Sequence, residues 1–191
     1  MKQMKLKDIL TPTLALFLIC LIATVLLALT NSVTAKTIDQ NAAETANAAR
    51  SEVLEAAAFT EETEEPQTKL LYCAGQNEAG ETVGYVFTAT AKGYGGDVKV
   101  MVGYDLTGTI TGFTILDCSN ETPGLGQNSK KPEFMGRFPG KSGELTVDKY
   151  SNEGQNIQAI TAATITSKAV VKAVNTATEA FQNLTGGASN G

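Results

Sequence analysis

Two stretches of this sequence combine hydroxyls, glycines and small residues in ways that suit ligand chemistry. The first is Gln158-Ala159-Ile160-Thr161-Ala162-Ala163-Thr164-Ile165-Thr166-Ser167. Two alanines precede Thr164, so little side-chain bulk blocks its hydroxyl. The segment lies where a loop becomes a helix, and the free amides and dipole of such a helix start favour a phosphate. The residues therefore suit a phosphate held beside an exposed hydroxyl. On the residues alone the preferred reading is a threonine-rich cap, in which the oxygens of Thr161, Thr164, Thr166 and Ser167 bond the free amides. The second stretch is Glu121-Thr122-Pro123-Gly124-Leu125-Gly126. Pro-Gly marks a turn, and the flanking glycines permit close backbone approach. Leu125, held between two glycines, could lie against a flat ring; an ordinary surface loop is the alternative.

Composition narrows the chemistry. There is no histidine, so the commonest general base and the commonest metal ligand are missing. The three cysteines, Cys20, Cys73 and Cys118, match no zinc or iron–sulfur spacing. Neither a metal site nor a set of catalytic residues is expected. Cys73 and Cys118 either pair, if their domain is exported, or remain buried free thiols, and the second reading is favoured. A net charge of −5 does not fit a nucleic-acid binder. Any chemistry must therefore come from hydroxyls, carboxylates, lysines, thiols or an imported cofactor.

The elements that position these segments follow from patterning. Lys2, Lys5 and Lys7 precede an uncharged stretch from Ile9 to Ala35. That stretch exceeds the ~20 residues a membrane-spanning helix needs. The lysines favour a cytoplasmic N-terminus, with the remainder outside. Val33-Thr34-Ala35 resembles a signal-peptide cleavage site, but the apolar run is long for one, and a retained anchor is favoured. Ile38, Ala42, Ala46, Ala49, Val53 and Ala57 form a weak helical stripe. Glu61 to Pro66 reads as a solvated acidic linker. Strands are predicted at Lys69–Gly75, Val83–Ala91, Val98–Tyr104 and Ile110–Leu116, with a turn at Asn77–Gly80 and a hairpin through Asp105–Gly108. Asn128–Ser142 reads as a long loop, and Glu144–Tyr150 as one further short strand. Ile165, Ala169, Ala173, Ala177 and Phe181 share one face of a last helix, with Val170 and Val174 beside them. Gly186-Gly187 ends that helix and opens a disordered tail. The expected fold is α+β: a mainly antiparallel sheet with a packed C-terminal helix, preceded by one N-terminal transmembrane helix. The expected organisation is an anchor over 1–36, a helical segment and acidic linker over 37–66, the main domain over 67–185 and a tail over 186–191.

The apolar N-terminal helix, the stretch from Lys92 to Phe113, Glu121–Gly126 and Thr161–Ser167 together resemble one family. It is the G subunit of the Rnf complex, an ion-translocating ferredoxin:NAD oxidoreductase. The chain is also similar to the C subunit of the sodium-pumping NADH:quinone reductase. The resemblance implies FMN attached through its phosphate to the Thr164 hydroxyl. It places Thr161, Ala162, Ala163, Thr166 and Ser167 around that bond, and Glu121, Thr122, Leu125, Gly126 and Lys149 near the flavin. It implies the other Rnf subunits, the cytoplasmic membrane and a flavin transferase as partners, with the main domain extracytoplasmic on a single-pass anchor. Two positions depart from the family pattern. Ala162 stands where a glycine is usual, and Gln158 where an aspartate is usual. Alanine at 162 is tolerable if its φ is negative and costly if positive. The competing readings are a subunit of the quinone reductase and an anchored, non-redox binding module.

Overall fold

The computed structural model describes residues 6–186. The lysines at positions 2 and 5 and the tail from 187 lie outside them. The chain separates into two compact units, Met1–Glu44 and Thr45–Gly191.

Helix α1 runs Leu6–Val53. Within the first unit its segment Leu10–Thr34 is 25 residues long with a mean hydropathy of 2.7. At 1.5 Å per residue that reaches ~37 Å, enough to cross a ~30 Å hydrocarbon core. Its leucines and isoleucines are exposed along its length. The hydroxyls of Thr24 and Thr30 donate to the carbonyls of Cys20 and Leu26 at 2.8 and 2.9 Å. Hydroxyls inside an apolar span are thereby satisfied without water. Among the described residues this is one helix long and apolar enough to cross a membrane, by length and composition.

In the second unit, strands β1 (Ala58–Phe59), β3 (Leu71–Gln76), β4 (Thr82–Lys92), β5 (Asp97–Asp105) and β6 (Ile110–Asp117) form an antiparallel sheet in that spatial order. Strand β2 (Thr63–Glu64) also pairs with β3. The acidic run is therefore not wholly a solvated linker. Its carbonyls and amides complete a sheet edge, and Glu65 is buried, accepting from the Thr68 amide and hydroxyl at 2.6 Å each.

Side chains alternate between the two faces of the sheet. One face carries Phe87, Val98, Val100, Val102 and Tyr104, and is covered by α3 (Thr164–Thr185). Tyr104 stacks on Phe181 at 5.3 Å between ring centroids. Its hydroxyl satisfies itself on Thr178 Oγ1 at 2.9 Å, deep in the core. The other face carries Cys73, Val86 and Met101 against Ala49, Val53 and Leu54 at the end of α1. Gly103 and Gly112 face each other in register. A Cβ on either would meet Val53 backbone at 2.2 or 2.4 Å. These glycines let the helix end lie directly on the sheet, where Thr111 Oγ1 donates to the Val53 carbonyl at 2.7 Å. Of the predicted alanine-rich stripe, Ala49 and Val53 are buried and Ala46 is half-buried. Ala57 is exposed beyond the helix end, and the side chains of Ile38 and Ala42 lie outside the described ones.

The predicted hairpin between β5 and β6 forms as expected. Asp105 Oδ1 accepts from the amides of Thr107 and Thr109 at 2.8 and 3.0 Å, and Gly108 supplies a φ of +84°. The stretch 128–142 is not one long loop. A 3₁₀ turn spans Gly126–Lys130, and helix α2 spans Pro132–Met135. Pro132 sits in the first turn, where its missing N–H has no partner to lose. Phe134 and Phe138 anchor this segment, and Phe138 stacks on Phe113 at 4.1 Å. Strand β7 (Thr146–Asp148) lies inside the predicted 144–150 strand and pairs in parallel with β8 (Asn156–Gln158). Gly186 caps α3 in the left-handed conformation. Cys73 and Cys118 are both buried and free.

Candidate functional site

Three segments far apart in sequence meet at the start of α3. They are the glycine loop Gly93–Gly96, the turn Glu121–Gly126 and the stretch Ala162–Thr166. They line a cleft of about 550 Å³ whose walls are Tyr94, Glu121, Thr122, Leu125, Gly126, Ala162, Ala163, Thr164, Ile165 and Thr166. That volume lies within the ~300–1,000 Å³ range of small-molecule sites.

Glu121 holds the three segments together. It is buried, accepts from the Gly95 amide at 2.9 Å through Oε1, and accepts the Thr166 hydroxyl proton through Oε2. A Cβ at Gly93 would meet Glu121 Oε1 at 2.4 Å, and one at Gly126 would meet Oε2 at 2.4 Å. Both glycines are therefore required by the packing around this carboxylate. In the turn, Gly124 adopts φ +76°, and the Leu125 amide bonds back to the Thr122 carbonyl at 3.1 Å. The reversal leaves Leu125 40% exposed on the cleft.

Ala162 takes a φ of +61°. The left-handed turn ends the preceding segment abruptly and sets Ala163 at the N-cap of α3, with Thr164 as the first helical residue. The predicted threonine cap does not form: no side chain caps this helix start. Ser167 turns inward instead, accepting from the Ile160 amide at 2.9 Å and donating to the Ala163 carbonyl at 3.0 Å. Ser167 is the first residue of the helix whose amide reaches a backbone acceptor, the Ala163 carbonyl. The amides of Thr164, Ile165 and Thr166 have no acceptor among the described residues. A helix start with free amides, beside a half-buried threonine hydroxyl in a ligand-sized cleft, suits a phosphate. The residues present thus fit a phosphate-bearing, flat cofactor.

The structure brings together Glu121, Thr122, Leu125, Gly126, Ala162, Ala163, Thr164 and Thr166. It does not bring the other predicted residues to this cleft. Ser167 is fully buried beneath it. Thr161 lines a separate recess of about 290 Å³ with Gln158, Lys131 and Arg137. Lys149 is exposed just after β7 and is not among the cleft residues. Two cleft residues were not anticipated from sequence. Ile165 belongs to the predicted apolar stripe but is 55% exposed, because the first turn of α3 borders the cleft rather than the core. Tyr94 sits among glycines that signal only a turn.

Residues 93–179 match the family of FMN-binding domains, and residues 1–53 match the RnfG N-terminal region. The chain resembles the solved structure of Shewanella oneidensis NqrC with a TM-score of 0.53, at 18% identity over 73% of this chain and 72% of that one. That likeness establishes the fold: an antiparallel sheet packed by a C-terminal helix. The G subunit of the Na(+)-translocating ferredoxin:NAD(+) oxidoreductase complex of Acetobacterium woodii is 44% identical over 190 residues, 90% of each chain. The G subunit of the ion-translocating oxidoreductase complex of Methanosarcina acetivorans is 35% identical over 91% of this chain and 94% of its own. The chain belongs to the family of G subunits of ion-translocating oxidoreductase complexes.

Proposed function

We propose that this chain is the membrane-anchored flavoprotein subunit of an ion-translocating ferredoxin:NAD oxidoreductase, with FMN joined through its phosphate to Thr164 Oγ1. One observation carries the reading: the uncapped helix start places the Thr164 hydroxyl and free amides on the wall of the cleft. The flavin supplies the redox chemistry when bound; the protein supplies position and electrostatics. Thr164 provides the attachment oxygen, and the amides at the helix start face the phosphate charge. Leu125 and Ile165 offer apolar surface to a flat ring, while Glu121 keeps the walls in register. Partners of the complete complex are its other subunits, and a flavin transferase installs the cofactor.

Thr164→Ala should fold normally and carry no covalent flavin, whereas Thr164→Ser should retain part of it. Intact mass and in-gel flavin fluorescence report both. Full flavin occupancy in Thr164→Ala would exclude Thr164 as the site. Lys2, Lys5 and Lys7, before the apolar span, favour a cytoplasmic N-terminus with Thr164 outside. A cysteine introduced at Tyr150, an exposed position of the main domain, should therefore react in intact cells with thiol reagents that cannot cross the membrane. Protection of that domain would reverse the assigned orientation.

A further inference from the structure

Tyr94 stands apart from most tyrosines in the domain. Tyr72, Tyr85 and Tyr104 interlock with Phe87 and Phe181 in one aromatic cluster. Tyr94 touches no other ring among the described residues and is 71% exposed, yet it lines the cleft. Its exposure does not come from a loose loop. The Gly93 amide closes onto the Gly96 carbonyl at 2.7 Å, and the Gly95 amide is held by Glu121 at 2.9 Å. A Cβ at Gly95 would meet the Asn120 carbonyl oxygen at 2.0 Å, and one at Gly96 would meet the Asn120 Cβ at 2.6 Å. The loop backbone is thus pressed flat onto Asn120 and Glu121. Tyr94 is the one residue of the four that bears a side chain, and that side chain projects outward beside the cleft. A single exposed tyrosine is ordinary, as Tyr150 is at 88%, but Tyr94 shares its cleft with other exposed apolar side chains, and such a grouped apolar wall marks a place that a flat ligand covers. Leu125 and Ile165, also exposed, line the same cleft.

We propose that Tyr94 is a cofactor-contacting residue whose phenol ring lies against the flat ring of the flavin, completing with Leu125 and Ile165 an apolar enclosure around it. The inference rests on the reading of Thr164 as the flavin-bearing residue. A phenol in contact with an excited flavin donates one electron to it and takes the same electron back. The pair returns to its ground state without emitting light. Contact therefore has a signature that a merely structural residue lacks: quenched flavin fluorescence.

The test uses the full-length flavinylated chain in detergent, with fluorescence expressed per covalent flavin and occupancy taken from intact mass. Tyr94→Ala should raise the fluorescence yield several-fold and make the flavin more accessible to iodide. Tyr94→Phe should also raise the yield, because benzene is a poor electron donor, but should leave iodide accessibility near that of the unmodified chain. Tyr150, which is 88% exposed and not among the cleft residues, serves as the control, and Tyr150→Ala should change neither quantity. A flavinylated Tyr94→Ala protein with unchanged yield and unchanged iodide accessibility overturns the proposal alone. A wild-type chain carrying no covalent flavin overturns the reading beneath it, and the proposal with it.

Discussion

Ala162 occupies a backbone position that suits glycine. At φ +61° its Cβ crowds the following carbonyl, a strain of about 1–2 kcal/mol for an L-residue. Ala162→Gly removes that strain but frees the unfolded chain, which returns about 0.4–1 kcal/mol of the gain. The expected net effect is a modest stabilisation, roughly 0.5–1 kcal/mol. Denaturant unfolding of the flavin-free domain would measure it. A destabilised Ala162→Gly variant would show that the positive φ is not the conformation in solution. The departure from the family's glycine is visible in the sequence; its sign is not, because φ depends on how the chain enters α3. Thr164 and the turn around Leu125 are legible because small residues and Pro-Gly have local meanings. Ser167 and Thr161 lie away from the cleft, and the sequence does not show it. Hydroxyl residues spaced one to three apart at a helix start point in different directions, one into the core and one into another recess. Only the backbone geometry separates them.

Glu121 acts at the scale of elements, because one carboxylate joins a β4–β5 loop, the turn after β6 and the first turn of α3. Glu121→Ala would leave the Thr166 hydroxyl buried without its acceptor, at a cost of about 1–3 kcal/mol. The Gly95 amide is exposed and can turn to water instead. Glu121→Gln keeps an acceptor for Gly95 and offers its amide to the Thr166 oxygen, so it should lose clearly less stability. The two variants should also differ at the cleft, with flavin anisotropy falling further in the alanine variant as its walls slacken. Equal and negligible changes in both would remove Glu121 from its joining role. The elements it joins are unequally legible. Strands β4, β5 and β6 announce themselves through β-branched and aromatic runs closed by tight turns. The pairing of β1 and β2 with β3, and the parallel contact of β7 with β8, leave no periodic trace in two- and three-residue strands. Phe134 and Phe138 hide α2 within a polar stretch, where Pro132 reads as a breaker although it opens the helix.

Across the whole molecule, the absence of histidine shapes how stability responds to pH. No imidazole titrates, so folding should be nearly indifferent to pH between about 5 and 8. The acid limb is set by carboxylates that the folded state holds as anions. The Thr68 hydroxyl and amide lower the Glu65 pKa. The Ser119 amide lowers that of Asp117, and the amides of Tyr150 and Ser151 lower that of Asp148. At Asp105 partial burial opposes ionisation, but hydrogen bonds from Thr107, Thr109 and Gly108 outweigh it and leave the pKa lowered. Each folded value lies below its unfolded one, so the unfolded chain binds more protons in acid. The stability they contribute is complete above the unfolded values, near ~3.9–4.3, and is lost as pH falls through the folded ones. The alkaline limb runs the other way. Burial raises the pKa of the Cys73 thiol, and it raises that of the Tyr104 phenol further. Their contribution is complete below the unfolded values and is lost as pH rises toward the folded ones, beginning with Cys73 above roughly pH 8. Cys73→Val, an apolar replacement of similar size, should extend the plateau upward until Tyr104 begins to limit it near ~10. Chemical denaturation of the soluble domain from pH 3 to 10 would trace both limbs. An alkaline limb that begins at the same pH in Cys73→Val as in the parent would show that another group sets it.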